Sequence, residues 1–292
     1  MDEHIALGEF LRSRRARLRP RDVGLQPPNT RRRVPGLRRE EIAQLAGVSV
    51  DYYVRLEQGR GIHVSDAILD AVANALHLAD DERTHLRNLA RPDRRPRRPG
   101  PPQKVRPSLR QLLDAMPDVP AFVVGRRTDV LAWNTLGAAL IADFQTLPPR
   151  RRNFARLIFL DEHLEALFHD RQRKARDIVA FLYLDAGRHP NDPLLAELVG
   201  DLSLHSQLFR QVWSEHPVRD KTHTGYDLLH PLVGQLTLTQ NALRAPDDPD
   251  QTLITYTAEP GSPSEASLRI LASWQTESIA TLDRHEPTPK DA

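Results

Sequence analysis

Apolar positions recur at helical spacing in five short runs over the first ninety residues. Leu7, Phe10, Leu11 and Leu18 fall on one face of a first helix. Prolines and glycines from Pro20 to Gly36 then break the pattern and imply a loop. Ile42, Ala43, Leu45 and Ala46 form the inner side of a second helix, and Tyr53 and Leu56 that of a third. Ile68, Leu69, Val72 and Leu76 mark a fourth, which Ser65 starts, and Leu86 and Leu89 mark a fifth behind Asp80, Asp81 and Glu82. Only Gly47, Val48, Ser49 and Val50 separate the second run from the third. Gly47 can take the positive φ that ends one helix, and Ser49 can cap the next by accepting from its backbone N–H groups. Ala43 is small enough for two helices to cross closely. This is helix-turn-helix spacing, in which the first helix braces the second against the major groove.

Past residue 120 the period changes. The stretch "PAFVVGRRTDVLAWN" predicts two short strands joined around Gly125 to Asp129. Helical patterns fill about the next 70 residues, and "VGQLTLTQ" and "TLITYTAE" then return to strand character, with Leu236 and Leu238 alternating with Gln235, Thr237 and Thr239. Strands at both ends with helices between predict an antiparallel sheet with its helices gathered on one face, an α+β fold with room for a pocket between the layers. The expected fold class is an all-α N-terminal helix-turn-helix domain plus an α+β C-terminal domain. Between them "RPDRRPRRPGPPQKVRP" has six prolines and no apolar periodicity, so it reads as a linker. The expected boundaries are 1–91, 92–107 and 108–292.

Charge divides the chain in the same place. Residues 1–106 hold 22 Lys and Arg against 14 Asp and Glu; of the 41 and 39 in the whole chain, 19 and 25 remain after them. A basic half facing a polyanion and an acidic half facing something else is the reading this supports. The absence of cysteine excludes disulfides, thiolate metal sites and cysteine nucleophiles. No apolar run approaches membrane-spanning length and the first residues lack a secretory signal's apolar core, so a cytoplasmic protein without membrane contact is expected.

In the third helix the early exposed positions are Ser49, Val50, Asp51 and Tyr52, with Val54 and Arg55 a turn later. Arg55 can make the bidentate contact with guanine, Val50 can touch a thymine methyl and Asp51 can accept from cytosine N4. The plainer roles are a cap for Ser49, dipole compensation for Asp51 and a phosphate or carboxylate partner for Arg55. Arg31, Arg32, Arg33, Arg38, Arg39 and Arg60 are read as phosphate contacts, which anchor the protein on a double-stranded operator without reading sequence.

The blocks "LGEFLRSRRARL", "RRRVPGLRREEIAQLAGVSVDYYVRLEQGR", "DVLAWN", "RNFARLIFLD", "DAGRHPNDP", "VWSEHPV" and "HPLVGQLTL", in this order over roughly residues 7 to 262, resemble the bacterial MmyB-like transcription regulators. The helix-turn-helix part is shared with a wider Cro/repressor-type superfamily; the later blocks are specific. The resemblance implies a PAS-like sensor domain that binds a fatty-acid-like ligand and governs the DNA-binding domain. Arg171 and Pro217 depart from the family's common Trp and Asp at those places.

A fatty acid needs a long apolar slot and one polar anchor. Slot candidates are Phe122, Val124, Trp133, Leu157, Phe181, Phe209 and Trp213, each of which is also an ordinary core residue. Anchor candidates are Arg152, Asn153, His216 and His230, with Asn153 and His216 placed first. His163, His169, His189, His205, His216, His223 and His230 raise a metal-hydrolase alternative, but there is no H-E-x-x-H, and Asp201 and His205, which share a helix face, are only two ligands and do not define a site. No catalytic or metal residue and no cofactor is expected. A DNA-tethered protein-interaction module is the remaining alternative. Leu268, Leu271, Ala272, Ile279 and Leu282 form an apolar stripe on a terminal helix, which either docks on its own domain or joins a homodimer.

Overall fold

The computed structural model describes residues 3–25, 36–59, 64–90, 102–189, 191–216, 223–245 and 248–283. The chain forms two compact units, and neither is continuous in sequence. The first joins Met1–Gly100 to Val179–Asp220, and the second joins Pro101–Ile178 to Lys221–Ala292. Within the stretch expected as a C-terminal domain, 108–292, the described residues of 179–216 group with the first unit.

In the first unit the amphipathic runs become α1 (Glu3–Arg17), α2 (Arg39–Leu45), α3 (Val50–Glu57), α4 (Asp66–Ala75) and α5 (Asp80–Ala90). Phe10, Leu11, Ile42, Ala43, Tyr53, Leu56, Leu69, Val72 and Leu86 are all buried. Leu45, expected inside, is 37% exposed, because burial in α2 follows Ile42, Ala43 and Ala46 and leaves position 45 on the outer side. Gly47 takes φ +65°, and Ser49 accepts the Tyr52 backbone N–H at 3.1 Å, so the turn is built as its residues require. A buried ion cluster holds the helices together. The Glu57 carboxylate, at the end of α3, accepts from Arg15 of α1 at 3.0 and 3.1 Å and from Arg39 of α2 at 2.7 Å. Gly8 is needed opposite it, since a Cβ there would lie 2.2 Å from the Glu57 carbonyl oxygen.

The second unit contains α6 (Pro107–Asp114), β1 (Ala121–Val124), β2 (Val130–Trp133), α7 (Thr135–Ile141), α8 (Phe154–Leu160), α9 (Glu162–Leu167) and the start of α10 (Arg171–Arg188). The remainder of α10 belongs to the first unit, with α11 (Pro193–His205) and α12 (Gln207–Ser214). The chain then returns to the second unit for β3 (His223–His230), β4 (Gly234–Ala245), β5 (Asp248–Thr257) and α13 (Pro263–Asp283). The five strands form one antiparallel sheet in the order β2-β1-β5-β4-β3. The expected hairpin is β1–β2, and Leu236 and Leu238 of β4 face inward while Gln235, Thr237 and Thr239 face out. The central strand β5 is buried continuously from Gln251 to Tyr256, as a strand covered on both faces must be. Leu268 and Leu271 of α13 are buried on this unit, so the first part of the terminal stripe docks on its own domain. No helix among the described residues is long and apolar enough to cross a membrane.

Candidate DNA interface and ligand-binding region

The exposed face of α3 carries the residues that the sequence singles out. Val50 is 40% exposed, Asp51 and Arg55 are exposed, and Ser49 is committed through its oxygen to capping the helix. Arg55 makes no hydrogen bond or ion pair with the other described residues. Behind this face Tyr53, Leu56 and Glu57 are buried, so α3 is fixed from within and presents its polar side outward. Arg38 caps α2 through its backbone N–H, which donates to Glu41 at 2.6 Å. Arg39 has its guanidinium on Glu57 but keeps 44% of its side chain exposed. Arg31, Arg32, Arg33 and Arg60 lie outside the described residues, as does most of the expected linker.

Packed against α1 and α5 is a column of rings from the far part of the chain. Tyr183 of α10 stacks on Trp213 of α12 at 4.2 Å and on His216 at 5.0 Å, and Phe209 stacks on Trp213 at 5.2 Å. The column reaches α1 through hydrogen bonds. Arg14 donates to the His216 carbonyl at 2.7 Å and Arg17 to the Glu215 carbonyl at 2.6 Å. The His216 ring lies 3.5 Å from the Glu9 carboxylate, and its backbone takes φ +47°, a left-handed conformation that a non-glycine residue adopts at a cost. Arg14 is buried over the Phe10 ring and paired with Glu82 at 2.8 Å; burial pulls its pKa down to about 10. His85 is buried between Phe10 and Tyr183, and burial lowers its pKa to about 3.

The slot candidates therefore divide. Phe181, Phe209 and Trp213, with the anchor candidate His216, belong to the first unit. Phe122, Val124, Trp133, Leu157 and Asn153 belong to the second. There an aromatic row crosses the sheet: Trp133 meets Phe144 at 5.3 Å, Phe144 meets Phe122 at 5.8 Å, and Phe122 meets Phe154 at 5.2 Å and Tyr256 at 6.3 Å. Asn153 is buried beside it but fully engaged. Its amide donates to the Arg127 carbonyl at 2.7 Å and to Asp129 at 2.9 Å, and its oxygen accepts from the Arg156 backbone at 3.0 Å. These bonds pin the β1–β2 turn, where Arg127 and Thr128 both have positive φ. Arg152 donates to the Leu147 carbonyl and lies over Trp133, and His230 meets the Ala139 carbonyl. Asp201 and His205 form an exposed pair at 3.0 Å.

One buried charged residue that the sequence reading did not single out lies at the inner end of the aromatic row. Lys174 of α10 is 1% exposed, with its Nζ 5.1, 4.8, 4.4 and 5.7 Å from the ring centres of Phe154, Phe168, Tyr226 and Tyr256. It donates to Gln240 Oε1 at 2.5 Å and to the Tyr256 hydroxyl at 3.2 Å, and burial lowers its pKa to about 7. The available signal was phase: Lys174 stands four and eight residues before Ile178 and Leu182, on the apolar side of α10.

Two family models match the chain. Residues 6–86 match a helix-turn-helix domain, and residues 105–271 match the MmyB-like transcription regulator ligand binding domain. No curated protein matches. A helix with a braced, polar outer face is thus joined to a ligand-binding domain that spans more than half of the sequence, and the chain belongs to the MmyB-like transcription regulators.

Proposed function

We propose that the protein is a cytoplasmic, non-enzymatic regulator that binds its operator as a homodimer and changes its DNA affinity when its PAS-like domain takes up a fatty-acid-like ligand. The observation that carries this reading is the double membership of residues 179–216. They fall inside the span of the ligand-binding family, yet they fold with α1 and α5 of the DNA-binding unit. A ligand alters DNA affinity only if it binds two arrangements of the protein unequally. A segment shared in this way gives the two functions a common element to bias. Dimer geometry is the natural second arrangement, because paired recognition helices must stand about 34 Å apart on DNA.

The test uses full-length protein and an operator selected from random DNA. Lipid-stripped and lipid-saturated forms are titrated with that operator, and the lipid is then titrated with and without DNA. The expected result is a change of about 5- to 150-fold in DNA affinity, matched by an equal factor in lipid affinity. Equal DNA affinities at confirmed lipid occupancy would reject the coupling.

A further inference from the structure

The sheet unit carries a strongly basic edge. Residues 121–156 hold six arginines against two aspartates and no other charged residue. Arg126 and Arg127 lie in the β1–β2 turn, and Arg150, Arg151 and Arg152 in the loop that leads into α8. The fold fastens these two segments side by side. Asn153 donates to the Arg127 carbonyl at 2.7 Å, and the Val130 backbone N–H donates to the Arg152 carbonyl at 2.8 Å. Like charges drawn together in this way repel, so the arrangement is unfavourable until an anion meets it.

The acids present do not neutralise the edge. Arg126 pairs with Asp250 and Arg127 with Asp129, both at 2.7 Å, while Asp143 accepts from the Gln145 backbone at 3.1 Å. The Arg152 guanidinium donates to two carbonyls, Leu147 at 2.8 Å and Gln145 at 3.2 Å. Arg150 and Arg151 are exposed, and their side chains make no hydrogen bond or ion pair with the other described residues. Three successive positive charges thus stand without a carboxylate in contact among the described residues.

A second observation says which anion fits. Residues 91–106, which follow α5, hold seven Lys and Arg against one Asp. The last of them run along the same turn. Gln103 accepts from the Arg126 backbone at 2.8 Å and donates to the Asp250 carbonyl at 3.2 Å, and the Lys104 carbonyl accepts from Gln251 at 3.2 Å. The basic sequence that leaves α5 therefore ends at the arginine edge. A small anion on two exposed side chains would stay hydrated, whereas a duplex offers a continuous row of phosphates and releases counterions as each is neutralised. Arginine's planar fork of donors matches phosphate oxygens.

We propose that this arginine edge is a second DNA contact, at which Arg150 and Arg151 hold the phosphate backbone of duplex beyond the operator base pairs. The contact is independent of the ligand and anchors without reading sequence.

The experiment measures binding of full-length protein over a range of salt. The selected operator is used as a trimmed duplex and as one extended by about 20 base pairs, roughly two helical turns, on each side, with random DNA of the longer length beside it. Wild-type protein should bind the extended operator more tightly than the trimmed one. Arg150→Gln with Arg151→Gln should erase that gain, lower the slope of log affinity against log salt by about 2 on long DNA, and keep the ratio of operator to random binding. Arg210→Gln with Arg269→Gln removes the same charge from exposed arginines that have partners of their own, and should keep both gain and slope. No length gain in wild type, or a double variant indistinguishable from it, overturns the second contact and spares the helix-turn-helix reader. An equal loss in the control pair also overturns it, since net charge would then decide, as does a loss confined to the operator. Wild-type protein gives an independent reading. Long duplex should shield Arg150 and Arg151 from an arginine-modifying dicarbonyl, followed by peptide mass spectrometry; equal modification with and without DNA rejects the proposal.

Discussion

Three bases are buried with no carboxylate in contact among the described residues, His85 in the helical unit and Lys174 and His230 in the sheet unit. Burial lowers the first to about 3 and the second to about 7. A base whose folded pKa lies below its unfolded one binds more protons when unfolded, so stability rises with pH between the two values. For His85 that window runs from about 3 to 6.5, and for Lys174 from about 7 to 10.5. The slope approaches about 1.4 kcal/mol per pH unit for one proton. Thermal unfolding followed from pH 4 to 10 should therefore show two separable rising limbs. His85→Leu should flatten the acid limb and Lys174→Met the alkaline one; a limb unchanged by its own substitution would mean that another group sets it. The fit around His85 is close enough to explain Gly187, where a Cβ would stand 2.6 Å from the ring Nδ1.

At the scale of elements, α3 combines a rigid back with an exposed, largely polar face. Glu57, gripped by Arg15 and Arg39, fixes the helix end, and Ser49 fixes its start. Arg55→Ala is expected to cost about 1–3 kcal/mol on the selected operator while leaving random DNA almost unaffected, as a base contact should. Competition binding at several salt concentrations checks it, and equal losses on both DNAs would reassign Arg55 to phosphate. Elements with one clean period were legible in the sequence: the helix-turn-helix, the β1–β2 hairpin and the alternation in β4. The strand β3 was not. Thr224, Tyr226, Leu228 and His230 alternate inward, but Gly225, Asp227 and two histidines hide a pattern whose inward set is half polar. Lys174 was hidden for a related reason, since Arg171, Arg173 and Arg176 around it make the start of α10 read as a solvated charge run.

For the whole molecule, periodicity predicts that a helix has an apolar face but not what the face meets. Phe209, Trp213 and His216 were legible as inward residues of the second half, and only the fold shows that they group with the N-terminal helices, His216 meeting α1 directly. The terminal helix is similar. Leu268 and Leu271 are consumed within the sheet unit, and each buried leucine is worth roughly 1.5–3 kcal/mol. A chain ending at Pro263 is therefore expected to melt earlier, whatever its oligomeric state. Ile279 and Leu282 continue the stripe, and their side chains lie outside the described residues. Ile279→Glu with Leu282→Glu should convert a sedimenting dimer to monomer without lowering the melting point; a retained dimer would place the interface elsewhere.

The interleaving of the two units also bears on inheritance. A reader and a sensor joined end to end can be exchanged between genes by one crossover in the linker. Here such a crossover would carry off Tyr183 and His216 with the sensor, stripping the helical unit of the rings that meet α5 and α1. A recombinant with a foreign sensor would have to supply that covering surface anew. Reader and sensor of this protein are accordingly expected to descend together, with substitutions in α1 and α5 matched by substitutions in α10 and α12.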